Sequence, residues 1–280
     1  MQAVVTRIEE RAGSLTRSER RIAETVLADP ALLAFATVAQ VGERAGTSGA
    51  TVVRFADRLG YEGWAGLQAT ARASLDHLRP ASERIREAGL DDVLGATAAR
   101  EAENVVRTLD AVDRRGFDRA VRLLADRRRS VLVLAGAAED GIGTALHDAL
   151  DLLRPGVGRL AGSPVSVASR VAHLDEGDML VAIDLRRYER WVVEAAALAT
   201  GAGGLLVALT DSPLSPLARQ AEVAFSVAAE GAGPFDSHVG TLALANALAS
   251  GVAARLRRPA TARLDKVETA WQAASTLIDD

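Results

Sequence analysis

The chain of 280 residues has no cysteine, one lysine and few aromatic side chains, 4% of the total. Without cysteine there is no disulfide framework, no thiol nucleophile and no thiolate zinc site. Four histidines, His77, His147, His173 and His238, are scattered without ligand spacing, so neither a metal nor another cofactor is expected. No uninterrupted apolar run approaches ~18 residues. The opening MQAVVTRIEERAG holds an acidic pair and no apolar stretch of signal-peptide length. A cytoplasmic protein with no membrane partner is expected. An excess of positive charge is also missing: the net charge is −4, and from Met1 to Arg79 ten arginines face nine acidic residues. A nucleic-acid contact would have to rely on a local patch and on dimer symmetry, not on overall charge.

What is present belongs to a folded protein. Hydrophobic residues make up 49% and charged residues 25%, which excludes a disordered chain. The length fits two domains at ~100–200 residues each. Thr37 and Gln40 have the spacing of a capping box, which predicts a helix from Val38 to about Ala45 with Gly46 just beyond its end. Ser48 can cap a second helix. At ~100° per residue Val52, Phe55, Ala56 and Leu59 share one side of it, while Thr51 and Arg54 and Arg58 cluster on another with Thr47 just ahead. Two short helices joined by a glycine turn, with one apolar and one basic face, form a helix-turn-helix pattern. Arginine suits the outward face because its planar fork can bond guanine O6 and N7 or clamp a phosphate. A small helical bundle with solvated arginines would share the pattern, and Asp57 partly neutralises the face. Thr16 and Glu19 form a second capping box, opening a helix that should stop before Asp29-Pro30.

Several blocks in this stretch, SERRIA at Ser18 to Ala23, ATVVRF at Ala50 to Phe55 and LGYEGW at Leu59 to Trp64, resemble in order the N-terminal domain of RpiR-type bacterial transcriptional regulators. The resemblance spans roughly the first 75 residues. It implies that Thr47, Ser48, Thr51, Arg54 and Arg58 lie at or near operator DNA.

Residues 76–126 are helical in pattern, with Pro80 and Gly89 as breaks, and are expected to connect the domains. Arg127-Arg128-Arg129 follows a helix over about Phe117 to Ala125, where cations favour the C-terminal end of the dipole. A solvated helix end is the simpler expectation; a second DNA contact is the other. From Ser130 the period changes. SVLVLAG, MLVAID, GLLVALTD and VAFSV are short continuous apolar runs, each followed by a loop and a helical stretch, the pattern of an α/β domain with a parallel sheet covered on both faces. Ligands in such sheets settle at the carboxyl ends of the strands. The loops of interest are therefore 136–143, 184–189 and 210–216.

The arrangement resembles an SIS domain, a flavodoxin-like sugar-phosphate-binding module, over about Ser130 to Arg257, most closely in LVALTDSPLSPLARQAEVAF. The expected organisation is a helix-turn-helix domain over 1–75, a helical linker over 76–126, an SIS effector and oligomerisation domain over 127–258, and a C-terminal helix over 259–280. SIS domains that hold phosphosugars usually carry hydroxyl-rich loops, Gly-x-Gly-x-Ser and Ser-x-Ser-Gly-x-Thr. Here the first reads GAAED, with Asp140 at the Ser position, and the second reads DLRRYE from Asp184 to Glu189. Both hydroxyl sets are missing. Arg186 and Arg187 could draw an anion through charge-assisted bonds, with Asp184 holding one of them. The candidate effector contacts are Gly136, Asp140, Asp184, Arg186, Arg187, Tyr188, Asp211 and Ser215, and Asp236-Ser237 could close the same crevice. Alternatively the pocket is lost and the arginines make structural ion pairs.

A last helix, roughly Thr261 to Ile278, spaces Leu264, Val267, Trp271, Ala274 and Ile278 as one stripe that should be buried, packed back on the chain or in a dimer. The leading expectation is a transcriptional regulator, a repressor relieved by ligand, with operator DNA, a small anionic metabolite and further copies of itself (a homodimer or tetramer) as partners. An SIS-type isomerase would need a base and an acid, for which Glu139, Asp140, Glu189 and His238 are the available residue types. It is the rival reading, along with an operator-binding protein whose SIS domain only oligomerises.

Overall fold

The computed structural model describes residues 2–28, 32–33, 36–74, 81–87, 92–213 and 215–275. The breaks foreseen at Asp29-Pro30, Pro80 and Gly89, and the last stripe residue Ile278, lie outside them. Two compact units divide between Glu83 and Arg84.

The N-terminal unit is all helical: α1 (Gln2–Arg11), α2 (Arg17–Ala28), α3 (Val38–Arg44), α4 (Gly49–Arg58) and α5 (Gly63–Ser74). Its helix starts follow from side chains that satisfy the first free amides. Glu19 accepts from the Thr16 N–H at 2.8 Å while the Glu19 N–H donates to Thr16 Oγ1 at 3.4 Å, opening α2. Thr37 and Gln40 form the reciprocal box that opens α3, and Ser48 accepts from the Thr51 N–H to open α4. The turn between α3 and α4 needs glycine twice. Gly46 is left-handed, φ +61°, and a Cβ on Gly42 would come within 3.0 Å of the Thr47 carbonyl oxygen. With the turn fixed, Val41, Val52, Phe55, Ala56 and Leu59 close on Ile22, Val26 and Leu67 in one apolar core.

α6 (Ala81–Glu87) spans the division, and in the second unit α7 (Val93–Asp110) and α8 (Arg114–Leu124) precede an α/β layer. Asp92 and Asp113 cap α7 and α8 through the amides of Gly95 and Gly116. The sheet contains β1 (Val131–Ala135), β2 (Val157–Leu160), β3 (Met179–Ile183), β4 (Leu205–Thr210) and β5 (Val223–Ser226), all parallel, in the order β2-β1-β3-β4-β5. The chain runs outward from β1 in one direction and from β3 in the other, which puts the topological switch between them. Its helices are α9 (Asp140–Leu153), α10 (Pro164–Val171), α11 (Arg190–Gly201), α12 (Val239–Arg255) and α13 (Arg257–Ala273). Side chains of α8, α9 and α12 cover one face of the sheet and those of α10 and α11 cover the other.

The continuous apolar runs became β1, β3, β4 and β5. β2 was not foreseen: it is an edge strand of four residues, VGRL, whose Gly158 and Arg159 carry no apolar signal. Residues 84–126, expected as a connection, fall within the second unit. There the hydroxyl of α7 Thr108 accepts from the Ala228 N–H, and Asn104 donates to the Glu230 carbonyl. α13 begins at Arg257, four residues before the predicted start, with Pro259 in its first turn, where its missing N–H costs nothing. Its stripe is not buried within the chain; Leu264 and Trp271 are 39% and 38% exposed.

In the basic run after α8, Arg127 and Arg128 are exposed, as a solvated helix end requires, and Arg129 is half-buried. Arg128 and Arg129 pair with Asp126, whose carboxyl they hold well below the usual range, the Arg128 hydrogen bond being the main cause. Arg154, fully buried, donates to the carbonyls of Leu124 at 2.5 Å, Asp126 at 3.1 Å and Arg129. It thereby supplies positive charge to the carboxyl end of α8, although burial lowers its own pKa.

Candidate nucleic-acid and effector sites

On α4 the apolar side is spent on the core and the polar side carries a short relay. The Ser48 and Thr51 hydroxyls are 2.9 Å apart, and the exposed Arg54 donates to Thr51 Oγ1 at 3.2 Å. Thr47, half-buried, stands at the preceding turn. These four share one surface at the N-terminal half of α4, where free amides and the positive end of the helix dipole favour an anion. Arg58 differs. It donates to the Ser14 carbonyl at 2.9 Å and pairs with Glu19 at 3.2 Å, fastening α4 to the start of α2. The sequence pattern also missed Arg21, which donates to the Gly46 carbonyl in the turn at 2.9 Å.

In the second unit the loops after β1, β3 and β4 do converge, but the groups they bring together are mostly acidic. At Gly136 a Cβ would lie 2.8 Å from an Asp184 oxygen, 2.9 Å from Glu139 and 3.2 Å from Glu189, so only glycine leaves room for the three carboxyls. Burial raises the Glu139 pKa to about 8, with the charge of Asp184 adding to it. Burial likewise raises Asp184 to about 7, with Glu189 and Asp211 repelling its ionised form. Near neutrality the cluster therefore holds one proton or more. Among the described residues no group of three or more His, Asp or Glu is arranged to hold a metal ion.

Asp184 does not hold an arginine, as the sequence had indicated; it accepts from the Glu189 N–H at 2.8 Å. Asp211 organises the loop after β3, accepting from the Tyr188 hydroxyl at 2.7 Å and the Arg186 N–H at 3.1 Å. Burial and the Asp211 charge push the Tyr188 pKa up. Ser215 is buried and accepts from the Ala218 N–H at 3.0 Å, closing a 3-10 turn. Asp140 stands in the first turn of α9 and pairs with Arg159 of β2, so it lies outside the carboxyl cluster. Arg187 is exposed.

Arg186 is the singular residue of this edge. It is left-handed, φ +63°, and 7% exposed. Its guanidinium lies 3.5 Å from Asp236 and 4.0 Å from Glu230. Arg84 of α6 reaches the same Asp236 oxygen at 2.8 Å, and Arg107 of α7 reaches Glu230 at 3.2 Å. Buried polar atoms with no partner among the described residues include Nε of Arg84 and of Arg186, Oδ1 of Asn104, whose amide bonds the Glu230 carbonyl, and, shortly after Asp236 in the chain, His238 Nδ1 and Thr241 Oγ1. A buried polar atom without a partner is uncommon, and several on adjoining segments mark an incomplete network. Arg84, Asn104, Arg107 and Glu230 carry no motif. They come together across 123 to 152 residues of chain, as the separations of the Arg107–Glu230 and Arg84–Asp236 pairs show.

A helical unit with a helix-turn-helix, followed by a five-stranded parallel sheet with its loops converged at the carboxyl edge, defines a DNA-binding domain fused to a sugar-isomerase-type domain. The comparisons agree. Residues 2–77 match the helix-turn-helix domain of the rpiR family and residues 123–251 match the SIS domain. The chain belongs to the RpiR family of helix-turn-helix transcriptional regulators. It is 27% identical over 264 residues to the regulator HexR of Pseudomonas aeruginosa, covering 91% of this chain and 90% of that one. With HexR of Escherichia coli it shares 26% over 230 residues, 80% and 77% of the two chains. Among solved structures, the sugar isomerase domain of an RpiR transcription factor from Sphaerobacter thermophilus is similar over 62% of this chain and 96% of its own, at 28% identity and a TM-score of 0.59. NanR of Vibrio vulnificus, complexed with ManNAc-6P, shares the fold over 99% of this chain and 100% of its own, at 21% identity and a TM-score of 0.62.

Proposed function

We propose that the chain is a cytoplasmic, metabolite-responsive repressor in which α4 reads operator DNA and the carboxyl edge of the sheet binds an anionic effector. For DNA, the relay Ser48–Thr51–Arg54 carries the reading. Arg54 is the base or phosphate contact, Thr47, Ser48 and Thr51 line the same surface, and Arg58 acts at one remove by fixing the angle of α4. For the effector, the carrying observation is the pair of buried Nε groups, of Arg84 and Arg186, without a partner among the described residues. Without hydroxyl loops, a sugar phosphate of the kind held by NanR would have to rest on arginine instead, and a sugar acid would suit the same charge. The carboxyl cluster at Gly136 then faces hydroxyls or an amine of the ligand and repels an anionic group there. Arg84 of α6, α7 and α8 belong to this sensor half. The exposed stripe of α13 fits contact with a second copy.

Effector binding changes DNA affinity only by favouring one arrangement of the dimer over another. No enzymatic role is proposed, because relatives that align with most of the chain, the HexR proteins, are transcriptional regulators.

Two measurements test this. Duplexes selected from a random library give an operator for fluorescence anisotropy, and Arg54→Ala should weaken binding by ~1–3 kcal/mol. Full affinity in the variant removes Arg54 from the reading. A thermal-shift screen of the full chain against phosphosugars, sugar acids and small carboxylates should yield a compound that also alters operator affinity. If binders leave operator affinity unchanged, the metabolite-sensing reading falls and the domain serves only assembly.

A further inference from the structure

Asp236 occupies an unusual position for a structural ion-pair partner. Two guanidiniums, from Arg84 at 2.8 Å and Arg186 at 3.5 Å, meet a single one of its oxygens, each through one terminal nitrogen. The planar fork of arginine is best satisfied by two parallel bonds, one of them from Nε, to two oxygens of an anion. Here both Nε groups are buried and have no acceptor among the described residues. The third reach, Arg186 to Glu230, is at the 4.0 Å limit of an ion pair. Glu103 also pairs with Arg107, so the carboxylates match the three arginines in number and the cluster has no surplus charge. What it has left over is donor capacity, in the unused Nε groups of Arg84 and Arg186.

The segment bearing Asp236 is the loop of residues 227–238 between β5 and α12. It is anchored through Ala228, Glu230 and Ser237, which bond to Thr108, Asn104 and Glu101 of α7. Between these anchors lie Gly231, Gly233 and Pro234, and beside Asp236 stands Phe235, 72% exposed. A carboxylate on a loop whose ends are fixed, resting on two incompletely used arginines, has the geometry of an internal ligand.

We infer that Asp236 is a tethered stand-in for the oxyanion of the effector, and that a carboxylate or phosphate group replaces it on Arg84 and Arg186. This rests on the effector reading above and makes it specific: the ligand is recognised through an oxyanion with two or more free oxygens, and its binding expels the loop at Asp236. A tethered group acts at an effective concentration on the order of millimolar, so it weakens the apparent affinity of any free oxyanion until it is displaced. The expelled loop carries Phe235 with it and alters the contacts of Ser237 and Glu230 with α7.

The test uses the full chain, titrated with inorganic phosphate and separately with acetate, with sodium chloride holding ionic strength constant, and read by calorimetry and thermal shift. Asp236→Asn should bind one of the two oxyanions about ten-fold more tightly than the wild type, and adding Arg186→Met to it should abolish the gain. The preferred anion identifies the head group as phosphate or carboxylate. A second variant, Phe235→Trp, leaves Asp236 in place and should show a saturable change in emission with the same anion and none with chloride. Equal affinity in Asp236→Asn and wild type, a gain that survives Arg186→Met, or an emission from the Phe235→Trp variant that does not respond to the anion overturns the inference. Its failure is separable from that of the effector reading. A compound that releases operator DNA equally well from wild type and Asp236→Asn would leave the regulator intact and remove only the stand-in.

Discussion

In the N-terminal unit arginines stay at the surface: Arg54 is exposed on α4, and Arg58, though paired with Glu19, keeps 43% of its side chain in solvent. In the second unit Arg154 is fully buried and Arg186 nearly so. An exposed cation loses little hydration and is available to an external partner such as a nucleic acid. A buried cation must be surrounded by acceptors, and where they come from decides its role. For Arg154 they are backbone carbonyls at a helix end, a complete set whose purpose is structural. For Arg186 the set is incomplete among the described residues, with an idle Nε, and that incompleteness is what the proposed anion site rests on.

The sharpest break of this contrast is Arg154→Met. It strips the donor from the carbonyls of Leu124, Asp126 and Arg129, and buried acceptors left unpaired cost ~1–3 kcal/mol each, offset in part by the relieved desolvation of the guanidinium. A loss of about 3 kcal/mol in urea unfolding of the second unit is expected, whereas Arg54→Met should stay within ~0.5 kcal/mol. Comparable losses in both would erase the distinction between buried and surface arginines.

A second, pH-dependent effect comes from the carboxyls at Gly136. Glu139 and Asp184 titrate near 8 and 7 in the folded chain, above their ordinary values of 4.5 and 3.8. Between roughly pH 4.5 and 7 the folded state therefore holds protons that the unfolded chain has released. The stability these groups contribute is whole below about pH 4 and is lost as the pH rises through their folded pKa values. The slope is at most ~1.4 kcal/mol per pH unit for each proton. Unfolding free energies measured from pH 5 to pH 8 should fall more steeply in wild type than in the Glu139→Gln, Asp184→Asn double variant. Parallel profiles would mean that the two carboxyls titrate normally. The smallest effect is Ser48→Ala, which removes the cap of α4 and should cost the N-terminal unit about 1 kcal/mol, visible as faster hydrogen exchange at the start of α4.

The sequence revealed α2, α3 and α4 of the N-terminal unit, though not α1 or α5, because the determinants of those three are local. Capping pairs three residues apart, a glycine turn and an apolar stripe at helical spacing lie within 25 residues, and each corresponds to an observed bond or burial. The parallel sheet was legible for a similar reason: strands covered on both faces must be continuously apolar. β2 was not legible, since an edge strand escapes that demand. The effector edge was visible as loops but not as chemistry. Residue type pointed to Arg186, and Asp236 was expected at the same crevice, but nothing in the sequence indicated that Glu230 would join them or that Arg84 and Arg107 would share these partners. Asp140 and Ser215 had the right address by motif and turned out to serve Arg159 and a 3-10 turn. The exposed stripe of α13 is a further case. Periodicity marked a face expected to be buried, yet Leu264 and Trp271 stay 39% and 38% exposed, because spacing describes a face and names no cover for it.

The anchoring of the 227–238 loop to α7, and of Asp236 to Arg84 of α6, bears on how such a sensor is exchanged between proteins. The family match to the SIS domain begins at residue 123, but Arg84, Glu101, Asn104, Arg107 and Thr108 all precede it. Recombination or a laboratory graft cut at that boundary would transplant an intact sheet without one wall of its crevice. The inheritable module is therefore longer than the homologous one and begins at Arg84, where the second unit itself begins.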